Sequence, residues 1–122
     1  MANPIVKIAR KTVAFDASGK ILGRLATQIA MNLMGKTSAV YQPNVDAGNL
    51  VVVTNVAGIK VTGKKYEDKK YFHHSGHPGG IHETTMRVMW EKNPATVLRA
   101  AVSRMLPKNK HRTNRMKRLS IS

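Results

Sequence analysis

Four histidines lie close together in the sequence and are its clearest candidates for metal chemistry: His73, His74, His77 and His82. Imidazoles at such spacings can bind zinc, and Asp68 or Glu83 could complete the ligand set. The glycines and proline between the histidines predict a loop, however, and nearby lysines would repel a dication. We therefore expect no metal or cofactor here. The remaining alternatives are a loop that contacts phosphate or ribose and a simple exposed polar loop.

The segment Gly35-Lys36-Thr37 is similar to the end of a phosphate-binding loop. The full motif requires a glycine five positions earlier, where this chain has Ala30. These residues also close a predicted helix, whereas only a helix N-terminus directs N–H groups at a phosphate. We predict that Gly35 caps the helix and that no nucleotide binds here.

The residue inventory leaves little for catalysis. The chain has no cysteine and six carboxylates, and it contains no Gly-x-Ser-x-Gly motif. We predict that the protein is not an enzyme and has no small-molecule substrate. The enzyme alternative is a metal-dependent hydrolase built on the histidines.

Charge is the dominant property of the sequence. Twenty-one Lys and Arg residues against six Asp and Glu residues give a net charge of +15 on 122 residues, and no carboxylate follows Glu91. Such an excess opposes a compact monomer by self-repulsion and favours a polyanionic partner. Because aromatic residues make up only 5% of the chain, phosphate and shape recognition are expected rather than extensive base stacking.

The first half of the sequence alternates between strand and helix patterns. We predict strands over residues 12–16 and 50–54, the second buried on both faces, and a further extended stretch over 59–62. Between the two strands, apolar residues recur on one helical face from Leu22 to Met34, and Arg24 lies off that face.

The second half begins with a polar stretch, residues 64–80, which predicts a loop or an irregular hairpin. A short helix follows, capped by Thr84 or Thr85. Asn93 and Pro94 suit the start of another helix, which Pro107 ends. This order predicts an α/β domain with a small, largely parallel sheet. No apolar run is long enough to span a membrane, and residues 1–11 match neither a signal nor a transit peptide.

Several ordered motifs resemble the bacterial-type family of large-subunit ribosomal protein thirteen. They are DASGKILGRLA at residues 16–26, YQPNVDAG at 41–48, VTGKK at 61–65, HSG and PGG at 74–80, and MLPKN at 105–109. The resemblance extends over residues 12–119. It implies a three-layer α/β/α fold with a four-stranded, mainly parallel sheet, between basic N- and C-terminal extensions.

The resemblance also implies a function. We expect a structural constituent of the large ribosomal subunit that binds large-subunit (23S-type) ribosomal RNA, contacts neighbouring ribosomal proteins and supports early subunit assembly. The expected location is the ribosome in the cytoplasm, with an organellar ribosome as the other possibility. A free-standing RNA-binding translational regulator on the same fold is the functional alternative.

These inferences divide the chain into a basic N-terminal extension (1–11), an α/β ribosomal domain (12–106) and a basic C-terminal extension (107–122). The C-terminal extension is expected to become ordered only when phosphates replace its water. The predicted RNA-binding residues are mainly cations, with loop residues beside them. They are Lys7, Arg10, Lys11, Lys20, Arg24, Lys36, Lys64, Lys65, Lys69, Lys70, His73, His74, Gly79, Gly80, Arg104, Lys108, Asn109, Lys110, Arg112, Arg115, Lys117 and Arg118.

Overall fold

The computed structural model describes residues 9–39 and 41–122, in which strands and helices alternate. The strands are β1 (Thr12–Asp16), β2 (Leu50–Thr54), β3 (Lys70–His74), β4 (Ile81–Thr85) and β5 (Leu119–Ile121). The helices are α1 (Leu22–Met34), α2 (Lys65–Asp68), α3 (Met86–Lys92), α4 (Pro94–Met105) and α5 (His111–Lys117), with a 3-10 turn at Val56–Gly58. The mixed α/β class is confirmed. Within the described residues, no helix combines the length and the apolarity that crossing a membrane requires.

Helix α1 is the central element of the core. Its predicted apolar face is buried, and Leu25, Ile29 and Leu33 are 0–1% exposed. Gly35 ends the helix at φ 85°, and its N–H donates to the carbonyl oxygen of Met31 at 3.1 Å. This left-handed conformation costs glycine little because it has no Cβ. The predicted cap is confirmed.

The main sheet is parallel, with strand order β1-β2-β5. The four-stranded sheet that the resemblance implied is not observed, because this sheet has three strands in the described residues. Residues 59–62, predicted to be extended, contribute only an isolated bridge between Lys60 and Ile21. The 3-10 turn at Val56–Gly58 comes just before this stretch, and Gly63 follows it at φ 67°. These two turns leave too little extended backbone for a strand. The third strand comes instead from β5, inside the segment that the sequence analysis assigned to an extension.

Only one face of the sheet carries the core. Val51, Val53 and Leu119 point to the same side and are 0–4% exposed. On the other side Ala14 is exposed and Val52 is half-buried. Helices α1, α4 and α5 contact one another, and α1 and α5 also contact the sheet. The prediction that residues 50–54 are buried on both faces is therefore wrong. The described residues form one helical layer on the sheet rather than the predicted two.

The polar stretch forms α2, β3 and the turn of an antiparallel hairpin. The second strand, β4, follows that stretch, and its His82 pairs with His73. The hairpin alternative is therefore confirmed. Helix α3 begins directly after Thr85. The Asn93 side chain accepts a hydrogen bond from the Ala95 N–H at 3.1 Å, as predicted for the start of α4.

The C-terminal segment lies inside the fold. Helix α5 packs against α1 and α4, and β5 joins the sheet beside β2. Arg115 and Leu119 are 1% and 4% exposed, respectively. The apolar residues of this segment therefore contribute to the core and to the sheet.

Candidate nucleic-acid interface

Lysines in and beside the short helix α2 form the first concentration of positive charge. Lys64, Lys65 and Lys69 line one open cavity of about 430 Å³, together with Asp68. Lys65 and Lys69 also line an adjacent cavity with Arg104, which α4 contributes. The fold therefore brings together four predicted RNA-binding cations, which we call the α2 patch. The single carboxylate of Asp68 does not balance these four charges, so the cations repel one another unless a further anion binds.

The Tyr71 ring makes cation–π contacts with two of these cations. The Lys69 Nζ lies 5.6 Å from the centre of the Tyr71 ring, and the Arg104 Cζ lies 5.4 Å from it. Burial raises the pKa of the Tyr71 hydroxyl, although the Arg104 charge opposes that shift. The ring is therefore neutral at pH 7 and attracts both cations through its electron-rich faces.

A second concentration lies in a groove between α4 and α5. Arg99, Arg112 and Lys117 line an open cavity of about 390 Å³ together with Ser103 and Thr113. We call it the α4–α5 groove. Arg99 is absent from the predicted site, although its position off the apolar face of α4 could have identified it.

Two predicted RNA-binding residues are placed in the interior instead. Arg118 makes two hydrogen bonds of 2.7 Å to the Asp46 carboxylate and a third of 2.9 Å to the Leu33 carbonyl oxygen. The Arg115 Nε lies 3.3 Å from Asp46 Oδ1, and its side chain is 2% exposed. Because these guanidinium groups hold an internal carboxylate, the candidate interface does not include Arg115 or Arg118.

Asp46 supplies the negative charge of this interior cluster of Asp46, Arg115 and Arg118. Burial alone would raise the pKa of its carboxyl, but the hydrogen bonds and charges of Arg118 and Arg115 outweigh burial and hold it below its ordinary value of 3.8. Arg10 holds the same loop from outside, since its guanidinium donates to the carbonyl oxygens of Gly48 at 2.6 Å and Asp46 at 3.0 Å. The sequence did not show the partners of Asp46, which are about 70 residues away.

The predicted RNA-binding residues of the β3–β4 hairpin make contacts with other residues of the hairpin. The His73 and His82 rings stack with their centres 5.1 Å apart, and His74 Nδ1 accepts a hydrogen bond from the Gly76 N–H at 2.9 Å. Gly79, at φ 77°, and Gly80 form the turn. Across residues 9–39 and 41–122, no group of three or more His, Cys, Asp or Glu residues could hold a metal ion.

The other predicted residues are spread over the surface. Lys70 forms an exposed ion pair of 3.3 Å with Glu83, and the Lys20 Nζ lies 5.8 Å from the centre of the Phe15 ring. Lys7 lies outside the described residues. The rest are exposed and are not part of either concentration: Lys11, Arg24, Lys36, Lys108, Asn109 and Lys110.

Comparison with known proteins identifies the family. The model of the family described as "Ribosomal protein L13" matches residues 10–121. The chain belongs to this family. It is 54% identical over 102 residues to the large ribosomal subunit protein uL13 of Dechloromonas aromatica, a match that covers 84% of this chain and 72% of the relative. It is 50% identical over 115 residues to the uL13 protein of Aquifex aeolicus, covering 94% and 80%, respectively.

The extent of the L13 match agrees with the observed fold. Because it continues to residue 121, it includes α5, β5 and both arginines that bind Asp46. The segment that the sequence analysis treated as an extension is therefore part of the L13 domain in structure and in family membership.

The lowered pKa of Asp46 predicts a dependence of stability on pH. A carboxylate whose pKa is lower in the folded state stabilises the fold fully above its unfolded pKa, near 3.8, and loses this contribution as the pH falls through the folded value. We expect the free energy of unfolding, measured with urea, to fall as the pH drops below about 4. The Asp46→Asn variant should show a smaller fall over the same range. An equal fall in both proteins would contradict this assignment.

Proposed function

We propose that this L13 protein is a structural constituent of the large ribosomal subunit that binds 23S-type ribosomal RNA. The observation that carries the proposal is the grouping of cations in the α2 patch and the α4–α5 groove. Asp68 is the only carboxylate among the residues that line these two open cavities. The names of the relatives point to the same subunit.

The interior cluster leaves this charge excess almost unchanged. It takes up one carboxylate, Asp46, and two guanidinium groups, those of Arg115 and Arg118. The rest of the chain keeps 19 basic residues against five acidic ones and needs an external source of negative charge. The phosphates of ribosomal RNA supply it at high density.

The completeness of the core supports an early role in assembly. The buried residues form one cluster that includes α1, α4 and the main sheet. A protein that folds without its neighbours presents a preformed cationic surface to RNA that has not yet folded. We expect the purified protein to bind protein-free 23S-type RNA directly. A requirement for other ribosomal proteins would contradict the early role.

The salt dependence of RNA binding tests the interface. Each phosphate contact that is lost should reduce the slope of log affinity against log salt by roughly 0.7–0.9. We expect this reduction for Lys64→Gln and for Arg99→Gln, measured by filter binding to 23S-type RNA. The matched control is Arg87→Gln, because Arg87 already pairs with Glu91 at 3.4 Å. Wild-type affinity that does not change with salt would overturn the proposed function.

Sedimentation of a cell lysate at low magnesium tests the location of the protein. A constituent of the ribosome in the cytoplasm should sediment with the large subunit and its neighbouring proteins. A free-standing regulator would remain in the light fractions.

A further inference from the structure

The cavity beside the α2 patch combines an apolar floor with a cationic rim. Its floor includes Leu22 and Met86, which are 8% and 0% exposed. Three cations of the α2 patch line its rim, namely Lys65, Lys69 and Arg104. No carboxylate is among the lining residues. The cavity holds about 230 Å³. We call it the α1–α4 cavity, because residues at the start of α1 and at the end of α4 line it.

Two of the three cations on the rim have a contact within the protein that holds them. Lys69 and Arg104 both lie against the ring of Tyr71. On the α4 side, the Thr27 hydroxyl lies 3.4 Å from the sulfur of Met105, another lining residue. The entrance is therefore positively charged while the interior offers mainly apolar contact.

This combination selects the chemistry of the occupant. A purely apolar group would gain nothing from the rim, and a bare phosphate would gain nothing from the floor. A nucleotide of single-stranded RNA has both parts, a flat base and the phosphates on either side of it. Pockets for drug-sized ligands usually hold roughly 300–1,000 Å³, so a cavity of about 230 Å³ suits one base better than a larger ligand.

We propose that the α1–α4 cavity accepts one unstacked base of the bound RNA while Lys65, Lys69 and Arg104 bind the adjacent phosphates. This inference rests on the proposed RNA-binding function and adds a specificity that phosphate contacts alone do not supply. Proteins commonly read RNA at loops and bulges, where bases are already unstacked. The site therefore selects a bulged or looped nucleotide over a regular duplex.

Cavity-filling variants test the inference without changing the charge. Ala101→Leu places a larger side chain in the cavity, and Gly23→Leu does so from α1, where an added Cβ meets no atom within 4 Å. We expect each to weaken binding to 23S-type RNA by roughly tenfold to a hundredfold, the range for loss of one base contact. The matched control is Ala100→Leu, on the same helix but outside the lining. Thermal denaturation checks that all three variants are folded.

Heparin is the second probe, because it is a polyanion without bases. Wild-type protein and both cavity-filling variants should bind heparin equally well, and their slopes against salt on 23S-type RNA should be the same. Wild-type RNA affinity in both variants would overturn the base site while leaving the proposed function intact. Equal losses on heparin and RNA would also overturn it, since the cavity would then serve only the phosphate contacts. Failure of the wild type to bind RNA would overturn both proposals.

Discussion

Replacing Asp46 with alanine should lower the free energy of unfolding by about 3–5 kcal/mol, the cost of removing one partner from a buried ion pair. The reason is the position of its partners, since the side chains of Arg115 and Arg118 are only 2% and 10% exposed. Without the carboxylate, two guanidinium groups stay buried next to each other and repel. Urea denaturation at pH 7 measures the loss.

The control for this variant is Glu91→Ala. Glu91 pairs with Arg87 one helical turn away, and both side chains are more than 60% exposed. An exposed pair of this kind contributes about 0.3–0.5 kcal/mol. If the Asp46→Ala variant lost no more than this control, the cluster would not stabilise the fold.

The second large effect is expected for Gly48→Ala. Gly48 is buried beside Asp46, and an added Cβ would overlap the carbonyl group of Leu33 and approach Arg118 Nη2 to 2.7 Å. Because a backbone group cannot turn aside as a flexible side chain can, the loop must move away from α1. That movement also pulls Asp46 away from Arg118. We expect a loss of about 3 kcal/mol, at the upper end of the range for overpacking, measured by urea denaturation.

Gly23→Ala is the matched control for crowding at Gly48. An added Cβ at Gly23 meets no atom within 4 Å, and this position lies in the exposed first turn of α1. Alanine is a better helix former than glycine, so this variant should be at least as stable as the wild type. A Gly48→Ala protein as stable as the wild type would show that the loop moves without cost.

The sequence predicted those elements of the fold whose signals lie within a few residues of one another. The apolar face of α1, the Gly35 cap and the Asn93-Pro94 start of α4 depend on residues a few positions apart, and the structure confirms them. The motifs also led correctly to the family. Residues 119–121 were not predicted as a strand, because three residues are too few to show a periodic pattern. The strand β5 depends instead on its pairing with β2.

The site was harder to predict because charge alone does not tell which way a side chain points. Arg112 and Lys117 lie in the α4–α5 groove, while Arg115, between them in sequence, is directed into the core. The groove and the core are reached from positions only two or three residues apart on α5. Nothing in a run of basic residues shows which side of the helix is buried. Asp46 supplies that information only after folding brings it to α5.

The order of strands in the main sheet has a consequence for synthesis. Strand β2 lies between β1 and β5, and nearly 65 residues separate it from β5 along the chain. A nascent chain that has grown only to α4 therefore carries a finished β1–β2 pair whose outer edge has no partner and whose Asp46 has no arginine. Unpaired edges of this kind invite association with other chains. A fragment that ends after α4 is therefore expected to aggregate more readily than the full chain.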